Sequence, residues 1–597
     1  MKISAERLSS FIGDVRPIWI EDGTDLKWNK RIAWKLSGDA VTMEKFGGYD
    51  HGCFYYGVLV TFIKEGSATV TATYEGVEYK CEISSRARRD FSGMENNFYK
   101  GDTHAHSQTE HDHDTVCFNR ESSPAAYIEA IDKEALREFA PITDHASTID
   151  DEFFFRGFME AERRMGKTYP IIFPGSESEI AYTEYDRYDN IHRLSGEMVT
   201  LNAKRCCYSK TYEEFFFTMG ENPYAIGVFA HPHVIGGSTR GVWNYRPRTN
   251  PYNDKLKKLI KYVEVLGAPS GRENTLHEYV YSEALDAGYR VSSTCGSDQH
   301  NNWDFNAYPG AVVIMAPEKS REAFLDALLN LRAYATESGN IKLRYFVNGK
   351  EAPCDLDEAT KYHFEVKIDY FYDDKMTRPV RLEVISDYGK TIKTIENADF
   401  ESIEFDIESD TARWFYIRLV DSYTYRTYSV PVFTGREYTP HIIDDLKPID
   451  KAKFKITDEK GSDAFALIDD DPSTEWQADG TSATLTIDIG EEKTVRGLGN
   501  YSVGLLRPYS GDIRRLMAEQ EAVFPVDYRI YSSLDGVEFD LWDEGVFRTF
   551  SGEEILKFEP RTTKFVKIEL LSTTGTRLGR DPYDKIPMKI SELSLFE

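Results

Sequence analysis

The segment GSATVTATYEGVEYKCEISS (Gly66–Ser85) alternates apolar and polar positions on both sides of a Glu75-Gly76 pair. That period-two pattern is the grammar of two strands joined by a turn. It runs through residues 1–95 and predicts a small β-sandwich with no chemistry of its own. From 96 to 340 the period changes. SPAAYIEAIDKEALREF (Ser123–Phe139) has helical spacing, with Ser123 placed as an N-cap and Pro124 in the first turn. Such stretches alternate with short apolar runs, FAPIT, YPIIFPG, AIGVFAHP, YVEVLG and AVVIMA. Helices alternating with buried strands predict βα units around a parallel sheet or barrel, with polar residues collected past the strand ends. Alternation returns in IKLRYFVNG, YHFEVKIDYFY, RPVRLEVIS and ARWFYIRLVD, so 341–440 reads as a second sandwich. A looser stretch, GREYTPHIIDDLKPID, leads into a last all-β unit within 441–597.

A chain of 597 residues accommodates this division, at roughly 150 residues per domain. Hydrophobic residues make up 41% and charged residues 29%, the balance of folded protein rather than of a disordered chain. Lys and Arg total 72 against 100 Asp and Glu, a net charge of −28, which argues against nucleic acid as a partner. No run reaches the 18 or so apolar residues of a membrane span. MKISAERLSS lacks an apolar leader core, which reads as a cytoplasmic chain, or as a secreted one if a leader has been trimmed. The seven cysteines are odd in number and lack CxxC spacing, so they read as reduced, mostly buried thiols, Cys295 among them.

Of the 13 histidines, ten fall between His104 and His300, where even spreading would place about four. Five clusters of metal-ligand residue types follow the short apolar strands. GDTHAHSQTEHDHD holds His104 and His106, then His111, Asp112, His113 and Asp114. Residues two apart on a strand share a face, so both imidazoles of the H-x-H pair can reach one ion. PITDHAS brings Asp144 and His145, and FPGSES brings Glu177, with His192 following in DNIHRLSG. FAHPH holds His231 and His233, and CGSDQH holds Asp298 and His300.

The ordered set H-x-H, T-D-H, P-G-x-E, His, H-P and S-D-x-H resembles the polymerase-and-histidinol-phosphatase (PHP) superfamily of metallohydrolases, over about 240 residues. RAYATESGNIKLRYFVNG and YSVPVFTG resemble the tail of its carbaryl-hydrolase-like branch. The resemblance implies a distorted (β/α)7 barrel that holds two or three zinc, manganese or iron ions. His104, His106, Glu177 and Asp298 would hold the first ion. Glu177 would bridge to a second, held by His192 and His231. His145, His300 and one residue of His111–Asp114, taken as Asp112, would hold a third. Paired ions lower the pKa of a bridging water and stabilise a developing oxyanion. No G-x-S-x-G elbow competes as a nucleophile motif. The expected activity is therefore hydrolysis by a metal-bridging hydroxide.

A phosphate substrate needs cationic clamps; the loop candidates are Arg272, Arg240 and Arg193. Tyr182, Tyr185, Trp243, Tyr245, Trp303 and Tyr308 follow ligand motifs and suit either packing or a sugar face. The segment from ALIDDDPSTEWQA to ISELSLF resembles the discoidin or factor 5/8 type C domain, the jelly roll of family 32 carbohydrate-binding modules. That resemblance implies glycan binding and a structural calcium at Asp469, Asp471, Thr474 and Glu592, whose hard oxygens suit that ion. Trp476 reads as core.

The whole is a multidomain α/β plus all-β chain: an immunoglobulin-like sandwich (1–95), the barrel (96–340), a sandwich (341–440) and a jelly roll (441–597). The leading expectation is a phosphoesterase acting on a sugar- or glycan-linked phosphoester. A hydrolase of a carboxylic ester, carbamate or glycosidic bond in a carbohydrate is the alternative. A glycan-binding scaffold with an inactive barrel stands behind both.

Overall fold

The computed structural model describes residues 1–21, 32–46, 57–107, 124–134, 137–146, 151–164, 170–185, 191–207, 212–232, 258–267, 274–286, 288–299, 310–396, 401–436, 446–502, 522–547, 552–578 and 582–597. Strands far outnumber helices. The chain forms two compact units. The first comprises Met1–Ala181, Gly196–Pro232 and Tyr252–Tyr438; the second comprises Tyr182–Ser195, His233–Pro251 and Thr439–Glu597.

The first unit begins with two four-stranded sheets. One orders the strands Lys2–Ile3, Val15–Glu21, Gly57–Phe62 and Val41–Phe46; the other orders Arg7–Phe11, Val77–Arg86, Gly66–Tyr74 and Ala33–Gly38. The inward positions of both share a core of Ile18, Ile20, Trp34, Val60, Phe62, Val70 and Cys81. The Gly66 and Val77 strands meet at Glu75 (φ 49°) and Gly76 (φ 82°), a pair of left-handed residues whose twist matches a tight hairpin.

A buried arginine fastens this sandwich to the α/β part. Arg321, 7% exposed, donates from Nε to Asp14 Oδ1 (2.6 Å), from Nη1 to the Ile172 carbonyl (2.7 Å) and from Nη2 to Asn202 Oδ1 (3.3 Å). Its guanidinium also lies 4.1 Å from the Phe173 ring centre. Next to it, Arg86 and Arg89 pair with the carboxylate of Glu322. Burial alone would raise that carboxyl, but the two guanidinium groups hold it down at about 2.

The α/β part is a sequence of strands with helices between most of them. The strands Asn97–Gly101, Phe139–Ile142, Ile171–Tyr185, Ile191–Leu201, Ile226–Phe229, Ile260–Leu266 and Ser292–Cys295 are neighbours in that order. Helices Pro124–Glu134, Asp151–Arg164, Tyr212–Gly220 and Asn274–Asp286 lie between successive strands. Parallel pairing joins the first three strands and the last three, and the Ile191 strand runs antiparallel to the Ile226 strand. Beyond the strand ends the backbone closes the path. Thr103 N donates to Cys295 O (3.3 Å), His106 N to Gln299 O (3.0 Å), and Asp298 N to His104 O (2.9 Å). Seven strands therefore form a ring whose seam is made by residues 103–106 and 295–299. Phe139, Phe173, Val199, Leu201, Val228 and Tyr262 belong to the buried core of this part.

The sheet does not stop at the ring. Asn97–Gly101 also pairs with Ala311–Ala316, which pairs with Ala333–Thr336, then Arg426–Tyr428, Trp414–Asp421, Pro379–Ser386 and Lys390–Glu396. A second sheet of Ile341–Val347, Lys361–Tyr370 and Ser402–Glu408 shares a core with this extension. The boundary expected near 340 is thus crossed by continuous strand pairing. Buried Glu278, on the Asn274 helix, accepts from Tyr416 Oη (3.0 Å) and Tyr428 Oη (3.2 Å) and pairs with Arg418 and Arg426.

In the second unit, Lys455–Asp458, Ala483–Ser502, Gly552–Leu570, Asp527–Ser533 and Asp540–Val546 form one sheet, with Glu592–Phe596 on the Ala483 strand; Trp476–Gln477 pairs with Lys589–Ile590. Their core gathers Leu485, Ile487, Val495, Trp542, Val566, Ile568, Leu593 and Leu595, and Trp476 packs against it.

Candidate metal centre

The residues of the H-x-H, T-D-H, P-G-x-E, H-P and S-D motifs come together at one rim of the ring. His104 and His106 follow the Asn97 strand, His145 the Phe139 strand, His231 the Ile226 strand and Asp298 the Ser292 strand. Glu177 differs from its expected strand-end position and lies inside the long strand Ile171–Tyr185. Backbone bonds hold these segments in register: Thr143 N to Ala105 O (3.0 Å), Glu177 N to Asp144 O (3.1 Å) and Gly296 N to Leu266 O (3.0 Å). Gly175 is required for the approach of two strands, since a Cβ there would meet the Thr200 carbonyl oxygen at 1.8 Å. Asp298 keeps a left-handed backbone (φ 48°), the kind of strained conformation that gathers at functional sites. Asp144, noted beside His145 in its cluster but given no ion, accepts from Ser107 N (2.7 Å) and Ser107 Oγ (2.6 Å) and fixes Ser107 next to His106.

Glu177 is the hub. Its Oε1 lies 3.2 Å from Nε2 of His104 and 3.1 Å from Nε2 of His231. Its Oε2 lies 3.4 Å from Nε2 of His106 and 3.3 Å from Nε2 of His145. Asp298 Oδ1 stands 3.0 Å from His106 Nε2 and 3.4 Å from His104 Nε2. His104, His106 and Glu177 are fully buried, whereas the Asp298 side chain is 29% exposed and marks the open side.

The electrostatics are those of charges forced together. Burial opposes charging His104, yet Glu177, Asp298 and Glu264 hold its pKa well above the usual imidazole value. Burial likewise opposes charging His231, but Glu177 and Glu197 lift it to about 10. For Glu177 and Asp298 burial works upward, but the imidazoles prevail and push both carboxyls down. Burial and the Glu177 charge push Glu197 up to about 8.

The donor set fits a metal ion. His104 Nε2 and His106 Nε2 face each other at 3.1 Å, an unfavourable meeting of lone pairs unless a proton or cation lies between them. Glu177 Oε2 is buried and makes no hydrogen bond to a described residue. Ligand atoms around an ion with bonds of about 2.1 Å stand roughly 3.0–3.4 Å apart, the separations seen throughout the cluster. Two groups of ligating atoms share Glu177: one with His104, His231 and Asp298, the other with His106 and His145. This apportionment differs from the expected one, which placed His106 with Asp298 and His104 and gave His145 to a third ion.

Two carboxylates escaped the sequence reading. Glu264, inside YVEVLG, faces His104 Nδ1 at 3.1 Å through Oε2. Glu197 places Oε2 3.3 Å from His231 Nε2. Glu264 is flanked by Val263 and Val265, so a carboxylate buried there needs a partner; the mixed strand IHRLSGEMVTL carries no such signal at Glu197. Asp112, His300, Arg240, Arg272, His233, Trp243, Tyr245, Trp303 and Tyr308 lie outside the described residues, as do the side chains of Tyr182, Tyr185, His192 and Arg193.

The residues expected to hold calcium are engaged with one another and with a lysine, while Glu592 Oε2 is buried without a hydrogen bond to a described residue. Asp469 accepts from Asp471 N (2.9 Å) and Thr474 Oγ1 (3.0 Å), and Asp471 accepts from Ser473 N (3.0 Å) and Oγ (2.6 Å). Glu592 is engaged by the buried ammonium of Lys451, which also lies 2.9 Å from Asp470. A cation is already built into the chain beside Glu592, and a divalent ion there would face it at close range.

No protein-family model and no curated protein matches the chain. Similar solved structures include CpGH89CBM32-5 from Clostridium perfringens, in complex with GalNAc-β-1,3-galactose, at 19% identity over 25% of this chain and 100% of that one, with a TM-score of 0.19. The family 32 carbohydrate-binding module of C. perfringens NanJ, in complex with galactose, shares 17% identity over 26% of this chain and 99% of that one, with a TM-score of 0.19. The corresponding module of AlyQ, in complex with 4,5-unsaturated mannuronic acid, shares 17% identity over 25% and 96%, with a TM-score of 0.17.

Proposed function

We propose that the cluster is the metal centre of a hydrolase acting on a phosphoester carried by a sugar or glycan. The observation that carries the metal reading is Glu177, whose two carboxylate oxygens turn to two different pairs of imidazoles. Its residues would be His104, His231, Asp298 and Glu177 for one ion, and His106, His145 and Glu177 for the other. The phosphoester rests on the resemblance of the ordered motif set to PHP metallohydrolases, and the sugar on the resemblance of the C-terminal segment to discoidin-type modules. When bound, such ions lower the pKa of water and offset negative charge on a reacting oxyanion. The chain's own part is positioning. Glu264 holds His104 through Nδ1, Asp144 holds Ser107 beside His106, and substrate would approach from the side of the partly exposed Asp298.

The test is elemental analysis of the purified chain, followed by turnover of p-nitrophenyl phosphate and p-nitrophenyl acetate before and after dipicolinate treatment. Two or three transition ions with chelator-sensitive phosphatase activity are expected. Ester turnover alone moves the chain to the ester or carbamate class, and metal without any turnover leaves a scaffold.

A further inference from the structure

Glu197 is absent from the motif set, yet its position ties it to the cluster. The pairing of Met198 with Phe229 sets the Ile191 strand against the Ile226 strand, and Ala230 N donates to the Glu197 carbonyl at 3.1 Å. Glu197 therefore sits directly across from the residue before His231. It shares a strand face with Val199 and Leu201, both in the core of the ring part. Its side chain is 6% exposed, and Oε2 reaches 3.3 Å from the same His231 Nε2 that stands 3.1 Å from Glu177 Oε1. One imidazole nitrogen is thus flanked by two buried carboxylate oxygens. Neutral or charged, that nitrogen carries at most one N–H to share between two oxygens, whereas a cation beside it would engage all three atoms.

We propose that Glu197 is a further metal ligand, acting with His231 and Glu177 in the place that the resemblance gives to His192. The inference rests on the metal-centre reading above. His192 stands five residues earlier in the chain, and its side chain lies outside the described residues. The substitution of a carboxylate for an imidazole has a chemical consequence. It adds a hard anionic oxygen, which favours manganese or iron(II) relative to zinc, whose affinity gains more from nitrogen donors.

The experiment measures binding, not turnover. Full-length wild type, Glu197→Gln and Glu197→His are stripped with dipicolinate, and Mn2+ and Zn2+ are titrated by calorimetry with elemental analysis of the loaded protein. Glu197→Gln is expected to weaken Mn2+ binding about 10–100-fold or to lose one ion per chain. Glu197→His is expected to restore stoichiometry while shifting the Zn2+/Mn2+ affinity ratio at least about tenfold toward zinc. The Glu197→His arm keeps the test decisive if the Gln variant does not fold. Wild-type Mn2+ affinity in Glu197→Gln, or an unchanged metal preference in Glu197→His, overturns the assignment of Glu197 alone. A wild-type chain that binds neither ion overturns the metal centre itself, a result distinct from the first.

Discussion

Oε2 of Glu264 stands 3.1 Å from Nδ1 of His104, and both side chains are fully buried. A carboxylate there favours a proton on Nδ1 and so would leave the Nε2 lone pair for an ion held with Glu177 and Asp298, the arrangement by which outer carboxylates orient metal-binding histidines. Glu264→Leu should weaken metal binding about 10–100-fold. Glu264→Gln, whose amide oxygen can still accept from Nδ1, should fall between it and wild type. Calorimetric titration of the three proteins checks the order; equal affinities would remove Glu264 from the site.

Gly296 makes that contact available. A Cβ at this position would lie 2.5 Å from His104 Cβ and 2.8 Å from Glu264 Cδ, and neither neighbour is the loose end of a flexible chain. Gly296→Ala should cost about 1–3 kcal/mol by overpacking and should lower metal affinity as well. A melt of the metal-free protein separates the two effects, because only the packing cost survives without metal.

Arg321 predicts a stability effect far from any chemistry. Arg321→Met removes the 2.6 Å bond to Asp14 and leaves a fully buried carboxylate short of its main partner. Breaking a buried pair costs about 3 kcal/mol or more, a shift of roughly 3–4 °C in the transition of a unit of about 400 residues. Asp14→Asn/Arg321→Met should recover part of it. Differential scanning calorimetry checks both, and an additive double variant would count against the pairing.

Lys451 predicts calcium independence and a pH signature. Calcium or EGTA should leave the melt of the C-terminal part unchanged, because an ammonium already serves Glu592. Burial raises the Glu592 carboxyl to about 7 while Lys451 draws it down. A carboxyl raised in the folded state contributes stability that is fully present below its unfolded value and is lost as pH rises through the folded one. This contribution is therefore present below about pH 4.5 and fades toward about pH 7. Lys451→Met removes the downward pull, so its loss of melting temperature should grow as pH rises from about 5 to 8. A calcium-dependent wild-type melt would refute this account.

Local signals were readable in the sequence wherever the physics is local. The alternation in Gly66–Ser85 gave both strands and their turn, and the residues from Pro124 to Glu134 are helical as their spacing announced. The apolar runs FAPIT and AIGVFAHP lead into His145 and His231 at a common rim, whereas Glu177 sits inside its strand and no ligand was read after YVEVLG or AVVIMA. Pairings across the chain were not readable. Glu264 and Glu197 carry no motif, and only the fold shows which imidazole each one meets. Lys451 lies 141 residues from Glu592, and no spacing rule connects a lysine at one end of a module to a glutamate at the other. The calcium expectation followed the module resemblance at Asp469, Asp471, Thr474 and Glu592, and nothing in that pattern announced Lys451 beside Glu592.

The sheet that runs from the ring into the middle sandwich has a consequence for modularity. At Ala335–Tyr428 and Thr336–Thr427 the pairing joins segments about ninety residues apart in sequence. A chain ended at 340 would present the Ala333–Thr336 strand as a bare edge, with main-chain donors and acceptors open to any passing strand. The sandwich is thus a permanent blocker of self-association for the ring. The smallest inheritable piece carrying this rim of histidines and carboxylates is the ring together with its sandwich, and gene rearrangements or engineered transplants that separate the two should yield aggregates instead of a smaller protein.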